Sequence, residues 1–201
     1  MIKILKKTKK NKNIIFFNSS IGNIQLFFID KIYIFPKKIK IFSKDKTIFF
    51  KTSLGLLSLK FINNIYFFLK KNKLLINFNF NKKKKSIINL YNKLIQLKIK
   101  GVLQSFKINL FLKGIGFKVM IENKNLILKL GFSHNIIIPI PNNINIIVQT
   151  NILIFNSIDY IFLNQFVHSV KKYKKPEPYK GKGLLLKNEK ILQKEGKKGK
   201  K

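Results

Sequence analysis

Cysteine, tryptophan, arginine and alanine are absent from all 201 residues, and only seven side chains are acidic. Without cysteine, disulfides, Cys-ligated zinc and thiol catalysis are excluded. The histidines are His134 and His168 alone, and the acids are scattered as Asp30, Asp45, Glu122, Asp159, Glu177, Glu189 and Glu195. No glycine-rich loop of nucleotide-hydrolase spacing occurs, so acid–base and metal-assisted catalysis both lack their groups. We expect no enzyme activity, no cofactor, no metal and no small-molecule substrate. Apolar runs are short as well: none reaches the ~18 residues of a membrane-crossing helix, and even Phe61 to Leu69 is broken by Asn63 and Asn64. Neither helical segment carries a continuous basic face, so attachment to an anionic membrane is not expected either.

What the chain has is lysine. Forty-two of them against the seven acids leave a net charge of +35. Self-repulsion on that scale opposes a compact state, whereas a polyanion relieves it and releases counterions for each phosphate neutralised. Nucleic acid is the expected partner, and contact with about 6–10 phosphates would cost roughly a thousandfold in affinity between low and moderate salt. The crowding of Lys, Ile, Asn, Phe and Leu also points to an AT-rich genome of the kind organelles carry, which explains lysine in place of arginine but not the deficit of acids. Apolar residues at 46% and aromatics at 13% are ample for a buried core.

Along the chain the pattern runs strands, helix, strands, helix. Ile14 to Phe35 and Ile39 to Phe50 are β-branched and aromatic, broken at Asn18 to Ser20, Gly22 and Pro36, as short antiparallel strands should be. Ser53 to Ser58 reads as a hairpin corner with Gly55 free for positive φ. Ile87, Leu90, Tyr91, Leu94 and Ile95 then follow helical spacing, with Ser86 as the N-cap. Strands recur at Phe106 to Leu112, Phe117 to Ile121, Leu126 to Leu130 and Ile144 to Gln149, with a turn over Glu122 to Asn125. Ser157 is expected to cap a second helix, Asp159 to favour its positive end, and Ile158, Ile161, Phe162, Phe166 and Val170 to form its inner face. The class is α+β: two tandem domains, each a small antiparallel sheet with one packed helix, in an order that suggests internal duplication. The expected boundaries are a basic arm 1–13, a first domain 14–100, a second 101–173, and a basic loop and tail 174–201. The arm lacks the serine and arginine of transit peptides and reads as uncleaved.

The densest motif is Lys175 to Gly183, KPEPYKGKG. Pro176 and Pro178 fix φ and hold Glu177 extended, while Gly181 and Gly183 allow a turn or close approach. LKGIGFKV at Leu112 to Val119 and LKLGFSH at Leu128 to His134 precede it, and KTSLGLLS at Lys51 to Ser58 is a weaker partner in the first half. In order and spacing these resemble the bacterial-type large-subunit ribosomal protein "L six" family. The resemblance implies two similar α+β domains and a structural role bound to large-subunit ribosomal RNA, near the factor-binding region and the sarcin-ricin loop, beside neighbouring large-subunit ribosomal proteins. With the codon bias, it implies a mitochondrial, organelle-encoded version, a plastid or an AT-rich bacterium being the other sources.

Lys171, Lys172, Lys174 and Lys175 lie at the C-terminal end of the second helix, where they complement the helix dipole and continue into the Pro/Gly loop; they are expected to touch RNA rather than merely solvate a helix end. Lys180 and Lys182 alternate with Gly181 and Gly183, so side chains and exposed amides can face one nucleic-acid strand together. Tyr179 can stack on a base or pin the loop to its own domain. His134 reads as a turn residue, with RNA contact implied by the resemblance, and Lys82 to Lys85 as a linker or a further contact. Where the family commonly has arginines this chain has Lys171, Lys172 and Lys174, which act as point charges without a bidentate fork. Leu184, Leu185, Leu186, Ile191 and Leu192 either form a protein-facing stripe or pack on the second domain. The competing function is a DNA-compacting protein of an organelle nucleoid, which would bind duplex DNA without preference and need no Pro-Glu-Pro-Tyr loop.

Overall fold

The computed structural model describes residues 14–18, 24–28, 31–36, 38–62, 65–70, 73–78 and 85–196. The arm 1–13, the breaks at Ser19, Ser20 and Gly22, the pair Asn63 and Asn64, Lys82 to Lys84 and the tail end 197–201 lie outside the described residues. The chain divides into two compact units, Met1–Gln104 and Ser105–Lys201. Each carries one helix on antiparallel strands, the α+β class its sequence predicts.

In the first unit, β1 (Ile14–Asn18) and β2 (Ile24–Phe28) pair as a ribbon. β3 (Lys31–Ile34), β4 (Lys40–Lys44), β5 (Thr47–Thr52), β6 (Gly55–Lys60), β7 (Ile65–Lys70) and β8 (Lys73–Phe78) form two three-stranded sheets, ordered β3-β8-β7 and β4-β5-β6. The β5–β6 corner is tighter than its sequence suggests: Thr52 pairs with Gly55 across two residues, and Gly55 takes φ 151°. α1 (Lys85–Leu103) lies on β5 and β6. Alternation on β5 and β6 sends Ile48, Phe50, Leu57 and Leu59 inward to meet Tyr91, Ile95, Ile99 and Val102 of α1. Tyr91 stacks on Phe61 at 5.1 Å, worth about 0.5–1.5 kcal/mol beyond its buried area. Tyr33 donates a hydrogen bond to Asn92 Oδ1, and burial pushes its phenol up to about 12.

Leu90, placed on the inner face by spacing, is 54% exposed, and Ser86 lies within the first turn of α1 rather than before it. The reason is a surplus of apolar residues. Ile87, Ile88, Leu90, Leu94 and Leu97 make a second helical stripe overlapping the buried one, and periodicity alone does not rank the two.

The second unit is built from β9 (Phe106–Lys113), β10 (Lys118–Glu122), β11 (Asn125–Lys129), β12 (Ile136–Pro139), β13 (Asn145–Gln149), β14 (Ile152–Ser157), α2 (Tyr160–Lys172) and β15 (Gly183–Leu186). Its sheets are ordered β10-β11-β12 and β13-β14-β9-β15, and α2 packs on β9 and β14. β12, β14 and β15 went unmarked by sequence pattern. Leu110, Leu153, Phe155 and Leu184 are fully buried under Leu163, Val167 and Val170 of α2. The α2 inner face is therefore shifted from its expected position: Ile161 and Phe162 are 46% and 37% exposed. The cap is also moved. Asp159, at φ −96° and ψ 107°, is the N-cap, and its Oδ1 accepts from the Ile161 amide at 3.1 Å. Ser157 closes β14 instead, donating to the Asn143 carbonyl at 2.8 Å and accepting from the Asp159 amide. A carboxylate both caps and complements the dipole, so the helix starts there.

The β10–β11 turn places Asn123 at φ 46° and Lys124 at φ 62°, the pair of positive angles a two-residue hairpin demands. Asparagine tolerates this and lysine does not. Lys124→Gly is expected to stabilise the unit by about 0.5–1 kcal/mol, raising its melting temperature by a few degrees; a lower melting temperature would contradict the strained turn.

Candidate nucleic-acid interface

α2 ends where Tyr173 tightens the last turn, its amide donating to the Val170 carbonyl at 3.3 Å. Three residues later Pro176 forbids further helix. The loop that follows closes on itself. The Glu177 amide donates to the Lys182 carbonyl at 2.9 Å and the Gly181 amide to the Glu177 carbonyl at 3.0 Å. The Leu184 amide donates to the Lys174 carbonyl at 3.0 Å, tying helix end to β15, and the Lys194 amide donates to the Pro178 carbonyl at 2.9 Å. Gly181 takes φ 65°. Gly183 takes φ 146°, and a Cβ there would stand 2.6 Å from Pro176 Cα. Both glycines are thus required by the closure, one by its turn and one by close backbone approach.

On this platform Tyr179 is 53% exposed, Lys172, Lys175 and Lys180 are exposed, Lys174 and Lys182 are half-buried, and Gly181 and Gly183 are buried. Lys174 reaches back to place Nζ 4.5 Å from the centre of the Phe132 ring, an interaction worth about 0.5–1 kcal/mol at an exposed site. That draws the LGFSH segment alongside: Phe132, His134 and Tyr173 line one shallow cleft, with His134 exposed and its Nδ1 3.5 Å from Ser133 Oγ. Lys171 departs from the group. Its Nζ pairs with Glu189 Oε1 at 2.5 Å, while Glu189 Oε2 accepts from the Leu186 amide at 3.1 Å.

Partial burial alone would raise the Glu189 carboxyl. The Lys171 hydrogen bond, the Leu186 amide and the charges of Lys171 and His168 outweigh it and hold Glu189 below the usual carboxylate range. The folded unit binds that proton less readily than the unfolded chain, so the pair stabilises above the ordinary carboxylate pKa and stops doing so as pH falls through the lowered value. Glu189→Gln is expected to flatten the acid side of the melting-temperature profile; an unchanged slope would contradict the pair's role.

Of the leucine stripe, Leu184 to Leu186 resolve into packing. Leu184 is fully buried, and Leu184, Leu185 and Leu186 pair with Leu112, Phe111 and Leu110 of β9; Leu192 is 91% exposed. Two neighbours of the loop, Phe132 beneath Lys174 and Lys113, lie in the LGFSH and LKGIGFKV motifs, but nothing in their sequence marks them as adjoining it. Gly183 pairs with Lys113 across β9 and β15, a partnership between distant parts of the chain that no local pattern announces. Gly114 makes a close contact: a Cβ there would stand 2.7 Å from the Phe117 ring. With Gly116 at φ 76° it forms the turn leading from β9 to β10.

Residues 113–185, which span the β9–β10 turn, the LGFSH segment, α2 and the Pro/Gly loop, match the family described as Ribosomal protein L6. The protein named large ribosomal subunit protein uL6c of Thalassiosira pseudonana is 42% identical over 130 residues, 64% of this chain and 70% of that one. The uL6 protein of Mycoplasma capricolum is 38% identical over 128 residues, 63% of this chain and 71% of that one. The uL6c of Arabidopsis thaliana is 38% identical over 113 residues, 56% of this chain and 51% of that one. A basic pair of α+β units with a closed Pro/Gly loop is thus of the ribosomal-protein class, which is structural and not enzymatic. The chain belongs to the ribosomal protein L6 family. Among the described residues no helix is long and apolar enough to cross a membrane.

Proposed function

We propose that this chain is a structural constituent of the large subunit of an organelle ribosome, where the loop 175–183 and the C-terminal end of α2 grip ribosomal RNA near the factor-binding region, beside neighbouring large-subunit proteins. The observation that carries the reading is the closed loop. Its backbone hydrogen bonds hold Lys180 and Lys182 on a preformed turn beside Lys172, Lys174 and Lys175, so little conformational entropy is lost when phosphates are met. Tyr179, half exposed at the tip, supplies a face for a base or ribose, and His134 borders the same cleft as Tyr173. Lys171 contributes chiefly by holding Glu189. The domains contribute spacing and the lysines neutralise phosphates that would otherwise repel one another.

The reading is tested by sedimentation and competition. The protein should travel with large subunits through moderate salt, and ribosomal RNA fragments should displace it from duplex DNA. A free soluble pool absent from ribosomes, or indifference between RNA and duplex DNA as a nucleoid protein would show, would overturn it. Composition favours a mitochondrial ribosome, whereas the similar uL6c proteins are plastid ones; organelle fractionation decides between them.

A further inference from the structure

The most exposed apolar side chain among the described residues is Ile115, at 94%. It stands at the tip of the turn from β9 to β10, between Gly114 and Gly116, with Lys113 before and Lys118 after. The turn is held from below. Gly114 lets the Phe117 ring press against the backbone, and the other edge of that ring lies 3.6 Å from where a Cβ on Gly131 would be, in the segment that carries Phe132 and His134. On the opposite side Lys113 is in register with Gly183, and its Nζ lies 3.4 Å from where a Cβ on Gly181 would stand. The tip therefore adjoins both the Pro/Gly loop and the LGFSH segment.

We propose that this turn is a further RNA-binding element, in which Ile115 acts as an apolar wedge against a base or ribose and Lys113 meets a phosphate of the strand held by Lys180 and Lys182. It rests on the RNA-binding reading above. Ile115 itself is a single apolar side chain between glycines and lysines, not the broad apolar core that a protein interface is built around. A single projecting aliphatic side chain is, however, the device by which nucleic-acid-binding proteins enter between bases. Charge agrees: Lys113 and Lys118 flank the tip in sequence and the adjoining loop carries Lys175, Lys180 and Lys182 against Glu177, while Glu189, which lines the cleft that Lys113 borders, is paired with Lys171.

The natural absence of cysteine makes the test direct, because an introduced one is unique. Full-length Ile115→Cys and Lys180→Cys proteins, each tethered to an iron chelate and incorporated into large subunits, are probed by hydroxyl-radical cleavage. Both are expected to cut ribosomal RNA at overlapping positions. Cleavage from 180 without cleavage from 115, or attack from 115 on a neighbouring protein, would overturn this inference and leave the RNA-binding reading standing; cleavage from neither would remove both. Ile115→Ser should weaken binding to ribosomal RNA fragments roughly tenfold with an unchanged melting temperature, since its side chain is almost wholly exposed. Unchanged affinity would count against the wedge.

Discussion

Replacing Lys180 and Lys182 together by glutamine is expected to weaken binding to ribosomal RNA roughly a hundredfold and to lower the log–log salt slope by about two, one for each phosphate left without its ammonium. The size follows from preorganisation. The Glu177–Lys182 and Gly181–Glu177 backbone hydrogen bonds hold both lysines on one closed turn, so on the proposed reading the main chain beneath each ammonium is already ordered before a phosphate is met. Lys171→Gln supplies the contrast. Because Lys171 is paired with Glu189, its removal should lower the melting temperature of the second unit while leaving the salt slope nearly unchanged. Titration of labelled RNA across salt concentrations distinguishes the two variants from the natural protein. An unaltered slope in the double variant, or a weakening at Lys171 equal to that at Lys180, would contradict the loop as the RNA-binding surface.

The second large effect is on stability. Gly183→Ala sets a Cβ 2.6 Å from Pro176 Cα and 2.7 Å from the Lys175 carbonyl oxygen, in a backbone at φ 146°. Both obstacles are main chain, so no side chain can swing aside. Steric displacement and dihedral strain together are expected to cost about 2–4 kcal/mol, which at several degrees per kcal/mol lowers the melting temperature by about 10–20 °C. The damage should also release β15, whose Leu184 is fully buried beside β9. Gly116→Ala is the control. Its φ is 76° but nothing lies within 4 Å of the added Cβ, so only the dihedral cost of about 1 kcal/mol remains. Equal destabilisation in the two variants would show that close packing at Gly183 is not what demands glycine.

How far these features could be read from sequence depends on whether their causes are local. The hairpin at Asn123 and Lys124 and the helical spans carry turn residues or periodicity in their own sequence, and both were legible. Strand β15 was not, since Leu184 to Leu186 owe their strand to β9 far upstream, and by composition alone the same three leucines suit a docking stripe equally well. The α2 inner face differs from the expected one because Ile161 and Phe162 are as apolar as Leu163 and Val167, so hydrophobicity alone ranks neither stripe above the other. Ser157 and Asp159 are both good caps; strand pairing with β9 carries β14 to Ser157 and leaves Asp159 at the helix start. Of the candidate interface, the lysines and glycines of the Pro/Gly loop were visible as a run. That Lys171 turns to Glu189, that Lys174 lies over Phe132, and that Lys113 borders Gly181 depend on tertiary packing no local spacing encodes.

The most direct measurement is a density map of the large subunit carrying this protein, read around residues 175–183. Phosphate oxygens within hydrogen-bonding reach of the Lys180 and Lys182 ammonium groups, with a nucleotide against Tyr179, are the expected result. Those same side chains standing in solvent, or packed against another polypeptide with no RNA in reach, would contradict it.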